Sequence, residues 1–219
     1  MKYTTILFVL LTTNSMLAQN IKQIDSVAKV MCTYLETLHI KNDTLKITRL
    51  YEEQLYPYLD MVTAENINRV GQQVYYRLQR NCVSFRDLLD RLEPPKEASV
   101  RMGNKPTSII TNKQLKEFKK KSKFYYFEVS GDTTNVLMSN GKWTDTFTNN
   151  TYSKLTYTWR NKTEFELVFV ESNNHTRSFL SVAGDSYWYQ VLAKEDGYYL
   201  LSLTIPEQDM YETFKFYYY

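Results

Sequence analysis

Between residues 130 and 209 the chain carries turn signals at regular intervals: Ser130-Gly131-Asp132, Asn140-Gly141, Asn149-Asn150, Arg160-Asn161-Lys162, Ser172-Asn173-Asn174, Ala183-Gly184-Asp185, Glu195-Asp196-Gly197 and Pro206–Asp209. Four of the chain's six glycines, Gly131, Gly141, Gly184 and Gly197, fall in these turns, where a left-handed backbone is reached most easily without a Cβ. From Lys123 onward apolar and polar residues alternate with period two, the pattern of half-buried strands. The eight turns separate nine short strands, Thr176–Val182 among them, and every connection is too short for a crossover. An antiparallel up-and-down meander is the arrangement left. So many consecutive strands curl, and closing into a barrel removes the exposed edges.

The last strand, Glu212–Tyr219, ends on three tyrosines, a pattern also met in outer-membrane barrels. A membrane strand needs an uninterrupted lipid-facing apolar face of about 9–11 residues. Lys142–Thr148 and Thr176–Val182 are only seven residues long, and Asp145 lies between Trp143 and Phe147. A soluble barrel over 122–219 is the expectation.

The first half has a different period. Over 20–93 the stripe Ile21, Ile24, Val27, Ala28, Met31, Leu35, Leu38 predicts one helix. A second opens at Asn42-Asp43 and carries Leu45, Leu50, Gln54, Leu55 and Tyr58; Pro57 should end or kink it near Tyr56. A third, capped by Thr63, runs to about Leu92 on Ile67, Val70, Val74, Tyr75, Leu78, Phe85, Leu88 and Leu89, and Pro94-Pro95 stops it. Three amphipathic helices with short links make a three-helix bundle. The chain's two cysteines, Cys32 and Cys82, lie in the first and third of these helices and are expected to form a disulfide in an oxidising compartment. Residues 94–121 are a linker rich in Pro, Ser and charge, with one short helix capped by Thr111. The fold class is therefore α+β: a three-helix bundle, then a meander closing as a lipocalin-like barrel.

The start, residues 1–19, has the form of a signal peptide: Lys2, the apolar run Ile6–Leu11, and a cut after Ala18-Gln19. No later stretch approaches the ~20 apolar residues of a membrane helix, so no transmembrane segment is expected after cleavage, and the location is periplasmic or extracellular. Lys and Arg number 27 against 24 Asp and Glu, a net +3 that becomes +2 without Lys2. That is too little for a nucleic-acid partner. The basic cluster at Lys113, Lys116, Lys119, Lys120, Lys121 and Lys123 reads as a solvated helix end.

Catalytic signatures are missing from the sequence. There are two histidines, His39 and His175, far apart, and no HExxH, CxxC, Gly-x-Ser-x-Gly or phosphate loop. Glu164 and Glu166 share a strand face opposite Phe165, Leu167 and Phe169, and read as solvent-side carboxylates. No catalytic residue, metal or cofactor is expected. The aromatic content of 15%, with 19 tyrosines, is the departure from the ordinary. A small barrel is either filled by such side chains or holds one small ligand. In the second case Trp143, Tyr157, Trp159 and Tyr189 would give apolar walls with polar tips. Glu171, Asn173, Asn174, His175 and Arg177 form the densest polar loop, by turn chemistry or as a recognition rim.

The stretches GDTTNVLMSNGKWTDTF, TYSKLTYTW, EFELVFVESNNHTRSF, GDSYWYQV and GYYLLSLTI resemble a β module of uncharacterised exported proteins of bacteroidete bacteria. LYPYL and VYYRLQRNCVSFRDLLDRLEPPKE resemble the helical segment that accompanies it. The resemblance implies export and no reaction. In layout the β half is similar to lipocalin-type barrels, and Gly141-Lys142-Trp143 echoes their Gly-x-Trp. That motif belongs on the first strand and here opens the third, so no lipocalin site residue carries across. Asp25-Ser26-Val27, Asp43-Thr44-Leu45 and Asp132-Thr133-Thr134 match the bacteroidete O-glycosylation pattern, although Asp and Thr also serve as helix caps. Two functions remain open: an interaction or structural module with an envelope-protein partner, favoured by the bulk of the inward residues, and a carrier of a small apolar ligand.

Overall fold

The structure, a computed structural model, describes residues 9–96 and 99–219, with side chains from residue 21 on. The chain divides into two compact units, 1–94 and 95–219. The first is helical. In α1 (Val9–Thr37) the buried residues are Ile24, Ala28, Met31 and Leu35, whose spacing of three and four aligns them on one face. Of the leader expected at 1–19, positions 1–8 lie outside the described residues, and the backbone of 9–19 belongs to α1.

α2 (Asp43–Leu50) is capped by Asn42, whose side chain accepts the Leu45 N–H at 2.9 Å. Pro57, expected to end or kink this helix near Tyr56, does not end it. The backbone widens into a π-helical turn over Tyr51–Leu55 and continues as α3 (Tyr56–Leu59). A proline ring crowds the carbonyl four residues back, here Glu53, and the wider turn lies where that carbonyl would interfere. The single third helix is also corrected. It is two helices, α4 (Ile67–Asn81) and α5 (Val83–Leu92), separated by Cys82 in an extended conformation. The Cys82 N–H donates to the Leu78 carbonyl at 2.9 Å, while its own carbonyl accepts the Arg86 N–H at 3.2 Å. One residue closes one helix and opens the next. Cys82 is also bonded to Cys32, with Cα atoms 5.6 Å apart. Beside this core Arg77, 3% exposed, makes a two-pronged ion pair with Asp25 at 2.6 and 2.9 Å.

The second unit contains β1 (Val100–Met102), α6 (Asn112–Lys120), β2 (Lys123–Phe127), β3 (Thr133–Ser139), β4 (Lys142–Thr146), β5 (Tyr152–Trp159), β6 (Glu164–Ser172), α7 (His175–Leu180), β7 (Ser186–Lys194), β8 (Tyr198–Thr204) and β9 (Tyr211–Tyr218). From β2 to β9 each strand pairs antiparallel with the next, and β9 returns to β2 through Phe124↔Tyr218 and Tyr125↔Tyr217. The result is a closed, eight-stranded, up-and-down barrel of lipocalin-like layout. The expected strand Thr176–Val182 is instead α7, whose N-cap Asn174 accepts the Arg177 N–H at 3.1 Å. A seven-residue segment of mixed polarity fits either period, and the Asx cap decides for helix.

Closure is uneven. Beyond Tyr125 and Tyr217 no further rung joins β2 to β9; the first half of β9 pairs with β1 instead, through Val100↔Thr213, Arg101↔Glu212 and Met102↔Tyr211. β1 is too short to show alternation and falls in the stretch expected as a linker. The opposite end of the barrel is plugged by α6. Its Phe118 is fully buried, with ring centroids 5.0–6.4 Å from Tyr199, Phe124, Trp159, Phe165 and Phe216. A capping box starts this helix: the Thr111 hydroxyl accepts the Gln114 N–H at 3.3 Å and the Gln114 side chain accepts the Thr111 N–H at 2.9 Å. Thr111→Ala should lower barrel stability by about 1 kcal/mol, seen as an earlier urea midpoint of tryptophan fluorescence. An unchanged midpoint would mean that packing alone sets the position of α6.

Candidate ligand-binding site

The period-two pattern points alternate residues inward. On most strands those are aromatic or aliphatic, but toward the α7 end three carry charge. Asp145 follows Trp143 on β4, Glu128 continues the Phe124–Tyr126 face just past β2, and Glu212 precedes Phe214 on β9. Arg177 enters the same region from α7. Its guanidinium is 2.5 Å from Glu128 Oε2, and Glu128 Oε1 accepts the Thr134 hydroxyl at 2.7 Å. Glu212 accepts from Ser99 Oγ and lies 3.8 Å from Arg101. Asp145, 8% exposed, accepts the Trp143 indole N–H at 2.8 Å and makes no ion pair among the described residues.

Glu128, Arg177 and Glu212 border a cavity of about 520 Å³, which opens where β2 and β9 part; Asp145 is not part of its lining and touches it only through the Trp143 indole it holds. Its aromatic wall is Tyr126, Trp143, Tyr189 and Phe214, and its polar lining includes Glu128, Arg177 and Glu212. The volume is in the range of small-molecule sites. The Tyr126 and Tyr189 hydroxyls have no hydrogen-bond partner among the described residues, and burial holds both phenols above their ordinary range, with the nearby Asp145 charge adding to the rise. Trp143 is fixed from two sides, by Asp145 at its nitrogen and by Phe216 stacked at 5.2 Å.

Burial pushes the Asp145 carboxyl up to about 7; the Trp143 N–H and the Arg177 charge oppose the rise and Glu128 adds to it. Because the folded value lies above the unfolded one, the folded protein keeps a proton that the unfolded chain has released from about pH 4 upward. The stability carried by that proton is complete below about pH 4 and is lost as pH rises toward 7. Asp145→Asn keeps an acceptor for Trp143 and removes the titration. At pH 4 it should match the parent; at pH 8 it should be more stable by roughly 2–3 kcal/mol, less than three full pKa units because water reaches the adjoining cavity. Urea titrations at the two pH values read the difference. A constant offset between the proteins would place the titration elsewhere.

The four wall residues expected from the sequence divide into two pairs. Trp143 and Tyr189 line the cavity. Tyr157 and Trp159 lie toward the α6 end, with Phe165 at 5.2 and 5.3 Å, and Lys119 sits 3.6 Å above the Trp159 ring. Of the polar loop, only Arg177 reaches the cavity. Glu171 pairs with Lys154 at 2.7 Å, Asn173 accepts the Tyr152 N–H at 2.6 Å, Asn174 caps α7, and His175 meets Phe179 edge to face with ring centroids 4.9 Å apart. Glu164 and Glu166 are on the outer face, paired with Lys105 and with Ser186 and Trp188. Tyr126, Glu128, Asp145, Glu212 and Phe214 were not singled out from sequence. The signal for the three acids was an acid on the same parity as inward aromatics.

Among the described residues no group of three or more His, Cys, Asp or Glu could hold a metal, and no helix is long and apolar enough to cross a membrane. Comparison with protein-family models, curated proteins and solved structures found no match. The class is therefore defined by geometry alone: an eight-stranded up-and-down barrel, filled at one end and hollow at the other.

Proposed function

We propose that this chain is an exported, non-catalytic binding protein whose barrel holds one small amphipathic molecule at the α7 end. The observation that carries the reading is the 520 Å³ aromatic-walled cavity, lined by Tyr126 and Tyr189, whose hydroxyls have no hydrogen-bond partner among the described residues. A filled barrel would leave no such space, so the cavity favours the carrier over the purely structural alternative. Export is supported by the leader pattern at 1–19, by the Cys32–Cys82 disulfide and by the resemblance to exported bacteroidete proteins; it places the protein in the periplasm or outside the cell. Native mass spectrometry of protein recovered from its own envelope should show an extra small molecule that denaturation removes. Bare protein that also leaves the neutral dye Nile red unbound would sink the carrier reading.

A second reading, docking to an envelope protein, draws on one feature of the helical unit. A shallow groove of about 490 Å³ runs beside α1 past Tyr34 and Gln54, and Val30 on its wall is 55% exposed. Crosslinking from a photoreactive residue at position 30 in intact envelopes tests it. Absence of any crosslinked species under conditions that label the barrel's ligand would exclude it.

A further inference from the structure

A smaller cavity, about 180 Å³, lies on the outer face of β6, β7 and β8. Its floor is built from residues paired across the strands: Glu164, Gln190 and Ser202 in one row, Trp188 and Thr204 in the next. Lys105 reaches it from the chain before α6, and Arg160 from the turn after β5. Lys105 forms an ion pair with Glu164, whose Oε2 accepts from Asn161 at 2.7 Å. The Thr204 hydroxyl donates to the Met210 carbonyl at 2.7 Å. Three other groups keep unmet capacity. Ser202 is only 2% exposed, yet its hydroxyl has no hydrogen-bond partner among the described residues. Directly across from it the Gln190 side-chain amide has none either, and its Oε1 is buried. Arg160 lies 3.6 Å over the Trp188 ring and makes no ion pair among the described residues. Stacking on an aromatic face leaves the N–H edge of a guanidinium free. Glu166, the next acid on β6, accepts the Trp188 indole N–H at 3.2 Å and the Ser186 hydroxyl, and does not line this cavity.

The lining therefore sets Lys105 and Arg160 against Glu164, one positive charge in excess, beside a buried hydroxyl that no described residue satisfies. Buried polar groups are rarely left so. A cation would meet the excess charge, and a neutral molecule would leave it unmatched. A phosphate dianion would bring its second charge against Glu164. We propose that this pocket is a second binding site, independent of the barrel cavity, and that it takes a small monocarboxylate. The carboxylate lies on the free edge of Arg160, a geometry that suits two parallel N–H···O bonds. The Ser202 hydroxyl and the Gln190 Nε2 donate to it. Trp188 and Tyr211, which also line the pocket, flank a short apolar body.

The test follows the three tryptophan indole N–H signals by NMR while acetate, benzoate, benzamide or inorganic phosphate is added at pH 7. Benzoate should shift the Trp188 signal saturably and leave that of Trp143, on the barrel cavity, in place. Benzamide, matched in shape but uncharged, should bind roughly tenfold or more weakly. Arg160→Gln should weaken benzoate by about tenfold or more, and Ser202→Ala by about tenfold. Both variants should keep the parent's urea midpoint, because neither side chain is hydrogen-bonded to the rest of the protein. Benzamide binding as tightly as benzoate, or Arg160→Gln binding it unchanged, overturns the carboxylate assignment. Phosphate binding tighter than either carboxylate replaces it with a phosphate site. A Trp188 signal that none of the four moves shows that the pocket holds water alone. None of these outcomes touches the carrier reading, which rests on the other cavity.

Discussion

Phe118→Ala should lower the stability of the barrel unit by about 3–5 kcal/mol, the cost of emptying a fully buried aromatic site. Phe118 is the one aromatic that α6 inserts into the barrel, and five rings close around it. Those rings belong to strands that cannot collapse inward without breaking their pairing, so the cavity stays open and the cost is toward the upper end. All three tryptophans, Trp143, Trp159 and Trp188, lie in this unit, which makes their fluorescence in a urea titration a readout of the barrel. A loss under about 1 kcal/mol would show that α6 is a detachable cover and that the strands hold without it.

The second large effect belongs to the helical unit. Cys32 and Cys82 close a loop with a sequence separation of 50, and on the chain-entropy account removing the bond costs about 4 kcal/mol. Cys82 is also the residue at which α4 ends and α5 begins, so the bond pins the helix break against α1. Cys32→Ser/Cys82→Ser should melt earlier in circular dichroism at 222 nm. A reducing agent should bring the parent to the variant's midpoint and leave the variant unmoved. Identical midpoints for oxidised and reduced parent would argue that the helices hold the break alone.

The order of the elements was readable in the sequence because turn chemistry and period are local. Gly131, Gly141, Gly184 and Gly197 all have positive φ, and the strands lie between them. The helix stripe was equally clear, yet it hid the break at Cys82. Leu78 and Phe85 are seven residues apart, two helical turns, so the apolar rhythm passes through the break unchanged. The π turn before Pro57 was hidden for a related reason: proline shows that a normal helix cannot continue, but not whether it stops or widens. The site was harder. Trp143 and Tyr189 were expected on the wall, but parity cannot tell which end of a strand a residue occupies, and Tyr157 and Trp159 share their parity while lying toward the plugged end. The cavity itself depends on where β2 and β9 separate, which follows from pairing across nearly the whole unit.

One more consequence lies in the ring column Phe124–Phe216–Trp143, stacked at 4.5 and 5.2 Å. It runs from the plugged end to the cavity wall and ends on an indole whose nitrogen is tied to Asp145. The side chain that a ligand meets has therefore given up its rotamer freedom during folding, not at the encounter. Recognition on such a surface loses little entropy. It also selects by shape: a guest must fit the tilt of a ring that does not turn to meet it.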